Sequence, residues 1–176
     1  MSIKYMMRCF EFLKKRSAAA AFAAGADPHK INWSDFEAQA ANTEGQFAHV
    51  AETGLKMFVP AEFKDTEIPE ETLKGGTFMV LKSSKEEKAV INAQILSIDI
   101  DTFKAGMESE GKPAWPVEVN GLNSFQFMIE ANGVSTACLA FGTEKGTVLT
   151  FSFTLVDQEP YTGLYKMMAA SIQRAE

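Results

Sequence analysis

Alternation of apolar and polar side chains is clearest in the last third of the chain. Every second residue from Phe125 to Ile129 is apolar, and Asn132-Gly133, the preferred dipeptide of a two-residue hairpin turn, follows shortly after. The alternation continues through residues 134–141 and 149–155. These segments predict a three-stranded antiparallel meander with one face on the core and a more polar opposite face.

Two further hairpins precede the meander. Residues 46–51 and 55–59 change to a period of two, which indicates a first pair of strands. Residues 77–83 and 88–98 are rich in Val, Ile, Leu and Met, and a charged stretch, 84–87, separates them. We therefore predict a second hairpin with its turn in that charged stretch.

Helices are indicated by capping residues and by apolar spacing. Ser34 and Glu37 form a capping box ahead of a short helix, and Asp99 is placed to cap a second one. Apolar residues from 161 to 172 recur every three or four positions, the stripe of a helix that docks on a sheet. This last helix is predicted to end at Gln173-Arg174.

The order of these elements predicts an α+β fold, with a central antiparallel sheet of hairpins plus a C-terminal meander, flanked by helices. We assign residues 31–176 to one domain and residues 1–30 to a separate N-terminal segment. A chain of 176 residues is long enough to bury one core. The 14 Phe and 9 Met first indicate a well-filled core and secondarily an apolar binding surface.

Charge and composition remove several classes of function. The net charge of -6 opposes nucleic-acid binding, since such proteins concentrate Lys and Arg on one face. No apolar run is long enough for a conventional transmembrane helix, which needs about 18 residues or more. Two distant cysteines, Cys9 and Cys138, provide no disulfide framework.

The N-terminal segment is the one cationic stretch of the chain. It combines Lys4, Arg8 and Lys14-Lys15-Arg16 with apolar residues at helical spacing. Three interpretations are open: a signal peptide with its cleavage site at Ala24-Gly25-Ala26, a helix that binds a membrane surface or a partner, and a helix packed on the domain. We slightly favour a cytoplasmic location, with export if residues 1–26 act as a signal peptide.

The residues that could carry catalysis or bind metal all have simpler structural explanations. His29 lies in a loop and His49 on a strand, and neither is well placed in sequence to act as a catalytic base. We interpret Cys138 as a buried apolar side chain. We interpret Asp99-x-Asp101 as a helix cap, because the glycine and the distal Glu of a calcium loop are missing. We predict no catalytic residue, no metal site and no cofactor.

Loops offer the best candidates for binding. An acidic loop follows the first hairpin, and Pro69 can open one helical turn within it. A tryptophan lies between two prolines ahead of residues 117–119, a predicted short edge strand because Pro116 cannot donate a hydrogen bond. The candidate interaction residues are Asp65, Glu67, Glu70, Glu71 and Trp115.

Four stretches of sequence carry a resemblance to known proteins. They are "GLKMFVPAEF", "VEVNGLNSFQF", "GTVLTFSFTL" and "ASIQ", within about residues 45–173. Their order is similar to the fold shared by the photosystem II extrinsic subunit P family and the Ran-binding Mog proteins. With its "INWSDFE" helix, the chain also looks like small uncharacterised proteins of anaerobic Gram-positive bacteria, often exported or envelope-anchored.

The resemblance implies an α/β/α sandwich and a bacterial, non-enzymatic domain that binds or organises other proteins. No residue matches a functional motif of either named family, and fold alone does not set function. Our leading hypothesis is an interaction module associated with a protein or the cell envelope. The alternatives are a carrier of a small apolar ligand and, third, a hydrolase that uses His29 or His49.

Overall fold

The computed structural model describes residues 30–31, 37–50, 53–131, 134–154 and 161–175. Within them the chain forms eleven strands and four helices. The strands are β1 Lys30–Ile31, β2 Gly45–Val50, β3 Leu55–Pro60, β4 Phe63–Asp65, β5 Thr77–Ser83, β6 Val90–Leu96, β7 Trp115–Val119, β8 Leu122–Ala131, β9 Val134–Gly142, β10 Val148–Thr154 and β11 Gln173–Arg174. The helices are α1 Glu37–Ala41, α2 Glu70–Lys74, α3 Ile100–Ser109 and α4 Tyr161–Ser171.

The strands form two sheets. The larger has eight strands in the order β1-β7-β8-β9-β10-β6-β5-β4, and the smaller has three in the order β11-β3-β2. Neighbouring strands are antiparallel throughout, except that β1 runs parallel to β7. Helices α3 and α4 pack on opposite faces of the larger sheet, which confirms the predicted α+β class with flanking helices.

The predicted hairpins and the meander are confirmed. Strand β2 pairs with β3, β5 with β6, and β8, β9 and β10 follow one another as antiparallel neighbours. The register places Ala131 opposite Val134, on either side of the predicted Asn132-Gly133 turn. That turn, the Ser34 cap and residues 1–29 of the N-terminal segment lie outside the described residues.

Three local predictions are wrong. Strand β7 starts at Trp115, and β1 pairs with Glu118 and Val119, so β7 is not an edge strand. Pro116 is tolerated because the β1 pairing stops short of it. The acidic loop contains a short strand, β4, and Gln173–Arg174 leaves helix α4 to pair with β3.

The main core lies between the larger sheet, helix α4 and strand β3. Its residues on β10 are Leu149, Phe151 and Phe153, which are the apolar positions of the predicted alternation. Helix α4 is buried on nearly every side, and Met167 and Met168 have no exposed surface. The Ser171 hydroxyl accepts a hydrogen bond from the Phe58 N–H at 2.8 Å, which joins the end of α4 to the smaller sheet.

A second core lies on the opposite face of the larger sheet, under helix α3. Phe103 of α3 packs against Phe125 and Phe127, with ring centroids 5.7 and 5.6 Å apart. Beyond α3 this face carries polar, half-buried side chains such as Ser152 and Thr154. The predicted difference between the two faces is therefore confirmed, with an apolar patch where α3 docks.

The turn between β7 and β8 holds the end of helix α4 in place. Asn120 and Gly121 both have positive φ, as the central residues of a type I′ turn require. The Asn120 amide donates hydrogen bonds to the Ala170 and Ile172 carbonyls at 2.7 and 2.8 Å. These bonds satisfy carbonyls that the helix end leaves without a partner in the helix.

Replacing Asn120 separates the contribution of these bonds from that of the backbone. Asn120→Gly keeps the positive φ but loses both bonds, so we expect a loss of roughly 1–3 kcal/mol in unfolding free energy. Asn120→Ala should lose about 1 kcal/mol more, because a Cβ is strained at positive φ. Urea unfolding measures both, with the exposed Asn123→Ala as control. Equal stability of the Gly variant and the parent would contradict the capping role.

Asp99 makes the stability of helix α3 depend on pH. Its carboxylate accepts hydrogen bonds from the Thr102 hydroxyl and backbone N–H, at 2.6 and 2.9 Å, and these bonds lower the pKa of the carboxyl. The stabilisation is thus present above the ordinary pKa and lost as pH falls through the lowered one. Asp99→Ala should lower the melting temperature near pH 6, and its deficit should shrink by about pH 2.5. A deficit that is the same at both values would contradict this, and Asp101→Ala, which keeps both Thr102 contacts, is the control.

Candidate functional site

The acidic loop is anchored to the edge of the larger sheet at both ends. Strand β4 ends at Asp65. The Thr66 N–H and hydroxyl then donate hydrogen bonds to the Val80 carbonyl at 2.9 and 3.2 Å. Pro69 precedes helix α2, and Gly75 caps its end. After the helix, the Gly76 carbonyl accepts a hydrogen bond from the Ile95 N–H at 3.0 Å, so hydrogen bonds to the sheet hold the loop at both ends.

Four carboxylates and one apolar side chain project from this region. All four predicted acidic candidates are exposed, and Glu70 pairs with Lys74 at 3.1 Å, where water weakens the ion pair. Leu73 lies one turn from Glu70 on α2 and is 50% exposed. We call this surface the acidic edge, defined by Asp65, Glu67, Glu70, Glu71 and Leu73.

Trp115 lies at the other side of the same sheet. It is half-buried at the start of β7 and pairs with Gln126 of β8. Five strands separate β7 from β4. Six strand spacings of about 4.8 Å give roughly 29 Å along the sheet. The five candidates therefore form two separate surfaces.

A further surface beside Trp115 was not predicted. Strand β7 pairs with residues 122–126 of β8, whereas β8 continues to Ala131 with β9 as its neighbour. We call residues 127–131 the β8 overhang. At its centre Ile129 is 46% exposed. The sequence contains a signal for this surface, because the prolines beside Trp115 limit the length of β7, whereas the alternation in β8 continues beyond it.

A cluster of polar groups at the start of α4 has a structural role. The Ser83 hydroxyl donates to Glu62 at 2.9 Å, lies 3.3 Å from the Tyr161 hydroxyl, and accepts the Lys85 N–H at 3.1 Å. Nearby, burial raises the pKa of Tyr165, whose hydroxyl has no hydrogen-bond partner in the described part of the chain. The cluster ties two sheet turns to helix α4.

The candidates for catalysis do not assemble into a site. His49 is exposed on β2 opposite Lys56, and His29 lies outside the described residues. Cys138 is fully buried, and burial raises its pKa to about 11. Among the residues that the structure describes, no three His, Cys, Asp or Glu side chains are grouped to hold a metal ion.

Solved structures resemble this fold. The chain is 12% identical to cyanobacterial PsbP (CyanoP) from Synechocystis sp., with a TM-score of 0.51 over 75% of this chain and 93% of that one. A Bacteroides thetaiotaomicron protein is 11% identical, with a TM-score of 0.50 over 76% of this chain and 49% of that one. LpqN of Mycobacterium tuberculosis, involved in cell envelope biogenesis, is 10% identical, with a TM-score of 0.44 over 84% and 99%.

The likeness to CyanoP shows that the chain has the PsbP-like fold, as the resemblance implied. At such low identity the likeness shows the fold and not the activity. No protein-family model matches the chain, and no curated protein matches it. In the described ranges no helix has the length and apolar character needed to cross a membrane.

The buried position of Cys138 predicts a thiol that does not react in the folded protein. With a pKa of about 11, only about one molecule in a thousand carries the thiolate at pH 8. In a Cys9→Ser variant, iodoacetamide should label Cys138 only after unfolding in guanidinium, as read by intact mass. Labelling of the folded protein at the rate of a free thiol would contradict the structural role.

Proposed function

We propose that the chain is a non-catalytic interaction module that binds another protein through the acidic edge. The proposal rests on one observation: four exposed carboxylates and a half-exposed leucine lie on one loop and helix anchored to the sheet. A large apolar side chain in water gains by contact with a partner. Loops on a rigid scaffold are the usual place for such contacts.

The chemistry of the acidic edge indicates the kind of partner. A matching surface would carry Lys or Arg around an apolar side chain that covers Leu73. Opposite charges speed association and select against acidic partners, more than they raise affinity. Because the carboxylates are exposed, binding should weaken as salt rises. Association with the cell envelope through the N-terminal segment stays a prediction.

The other two hypotheses have less support. The phenylalanines and methionines that suggested an apolar ligand fill the cores instead, for example Phe141, Phe151, Met57, Met167 and Met168, all without exposed surface. A hydrolase would need an imidazole beside a nucleophile, and His49 stands opposite Lys56 on an exposed strand. Neither is proposed further.

A pair of charge-matched variants tests the acidic edge. The first is Asp65→Asn with Glu67→Gln, Glu70→Gln and Glu71→Gln. The second is Asp101→Asn with Glu87→Gln, Glu108→Gln and Glu144→Gln, which changes the net charge equally at exposed residues elsewhere. Each is tagged beside the parent in cells that make the protein, and captured proteins are quantified by mass spectrometry.

The parent and the control should capture the same partner, and the edge variant should recover it at least about tenfold less. Leu73→Ser should weaken capture as well, with the parent's melting temperature retained. Identical capture by all three charge forms would contradict the acidic edge. Capture of no protein above background by the parent would contradict the interaction module itself.

A further inference from the structure

The β8 overhang leaves an edge of the larger sheet without a neighbour in the described part of the chain. Strand β7 starts opposite Gln126, and β1 pairs with β7 further along, at Glu118 and Val119. Residues 127–131 pair with β9 on one side, and no strand of the described ranges lies on the other. The length of this edge is five residues.

The register shows which backbone groups point out of this edge. Val119 and Leu122 flank a two-residue turn, so they form a hydrogen-bonded pair. Such pairs alternate along an antiparallel ladder, and Ser124 and Gln126 therefore also direct their N–H and C=O groups toward β7. By the same alternation, the N–H and C=O groups of Met128 and Glu130 point to the same side of β8, beyond the first residue of β7. These two residues offer two donors and two acceptors.

We propose that two copies of this chain associate by antiparallel pairing of their β8 overhangs. Hydrogen-bonded pairing requires two outward-directed residues opposite each other, and the register that uses both such residues of each overhang places Met128 opposite Glu130 of the second copy, and Glu130 opposite its Met128. The twofold axis then passes beside Ile129. All five residues of the overhang are paired, and four backbone hydrogen bonds form.

The same register brings the exposed isoleucines together. Ile129 lies opposite Ile129 of the second copy, in a non-hydrogen-bonded pair whose Cβ atoms are about 4.5–5.5 Å apart. Each side chain is 46% exposed in one copy, and each would cover the other. An isologous interface needs a surface that complements itself, and this edge meets that condition in length, backbone pattern and apolar centre.

The pairing also accounts for an edge that has only part of the usual protection. Exposed edge strands are commonly blocked by prolines or charges. Pro113 and Pro116 block the edge of the sheet in this way around Trp115. The overhang has no proline and a single charged residue, Glu130, and it has an exposed isoleucine at its centre. Five paired residues bury less than the roughly 1,200 Å² of a stable interface. The dimer is therefore weak and depends on concentration.

A cysteine at the symmetry axis tests the register. In a Cys9→Ser background, Ile129→Cys should form a disulfide-linked dimer under mild oxidation, since the facing Cα atoms of such a pair, about 4.5 Å apart, lie within the range that a disulfide spans. Leu73→Cys is the control, because Leu73 is equally exposed, at 50%, on another surface. Dimer from Ile129→Cys at a rate at least about tenfold above the control supports the proposal. Equal rates overturn it.

Sedimentation velocity tests association without a cross-link. The sedimentation coefficient of the parent should rise from about 1 to about 500 μM, while Ile129→Lys, which brings two like charges together, should stay a monomer. A circular dichroism melt confirms that the variant folds. A parent that stays monomeric overturns the proposal. If Ile129→Lys then also fails to capture a protein that the parent captures, the edge binds a different protein and the dimer is still overturned. The charge-matched variants of the acidic edge are scored separately, so either proposal can fail alone.

Discussion

The burial of helix α4 between the two sheets is the constraint on which the rest of the structure depends. Tyr165 packs against Phe153 of the larger sheet, with ring centroids 5.6 Å apart, and Ser171 bonds to Phe58 of the smaller one. The helix has hardly any polar face, so outside this position it would expose apolar surface along its length. Asn120 and the Ser83 cluster fix its two ends. The scaffold is thereby fixed at its centre, and the two candidate surfaces lie at its sheet edges.

Much of this fold could be predicted from the sequence because its long elements have regular patterns. The alternation from Phe125 to Phe153 predicted three strands in their order, and Asp99 predicted the start of helix α3. The difference between the sheet faces followed from the same alternation. In each case the signal is local, and the structure adds only the partner that covers the apolar face.

The elements that were missed are short and depend on distant partners. Strands β1, β4 and β11 have two or three residues, too few for a period of two to appear. Their strand character comes from pairing with β7, β5 and β3. Gln173 continues the helical spacing of α4 but pairs with Lys56 instead, since tertiary contact overrides propensity.

The candidate surfaces show the same division between local and distant information. The composition of the acidic loop predicted its exposure, whereas the separation of Trp115 from Asp65 follows from the strand order, which no local pattern contains. The β8 overhang required a comparison of two strand lengths and a register. Binding residues on this fold thus have to be found from the sheet edges and not from motifs.

The central claim is that a rigid centre carries two separate binding edges, and hydrogen exchange of the full chain tests it most directly. In dilute solution the amides of α4 and β10 should exchange only through global unfolding, while residues 63–74 and the outward-directed amides of Met128 and Glu130 exchange much faster. Raising the protein concentration should slow exchange at Met128 and Glu130 alone, and adding the captured partner should slow it at 63–74 alone. Fast exchange in α4 would contradict the rigid centre. Protection on raising the concentration or adding the partner that appears first in the strands under α3 would contradict the two binding edges.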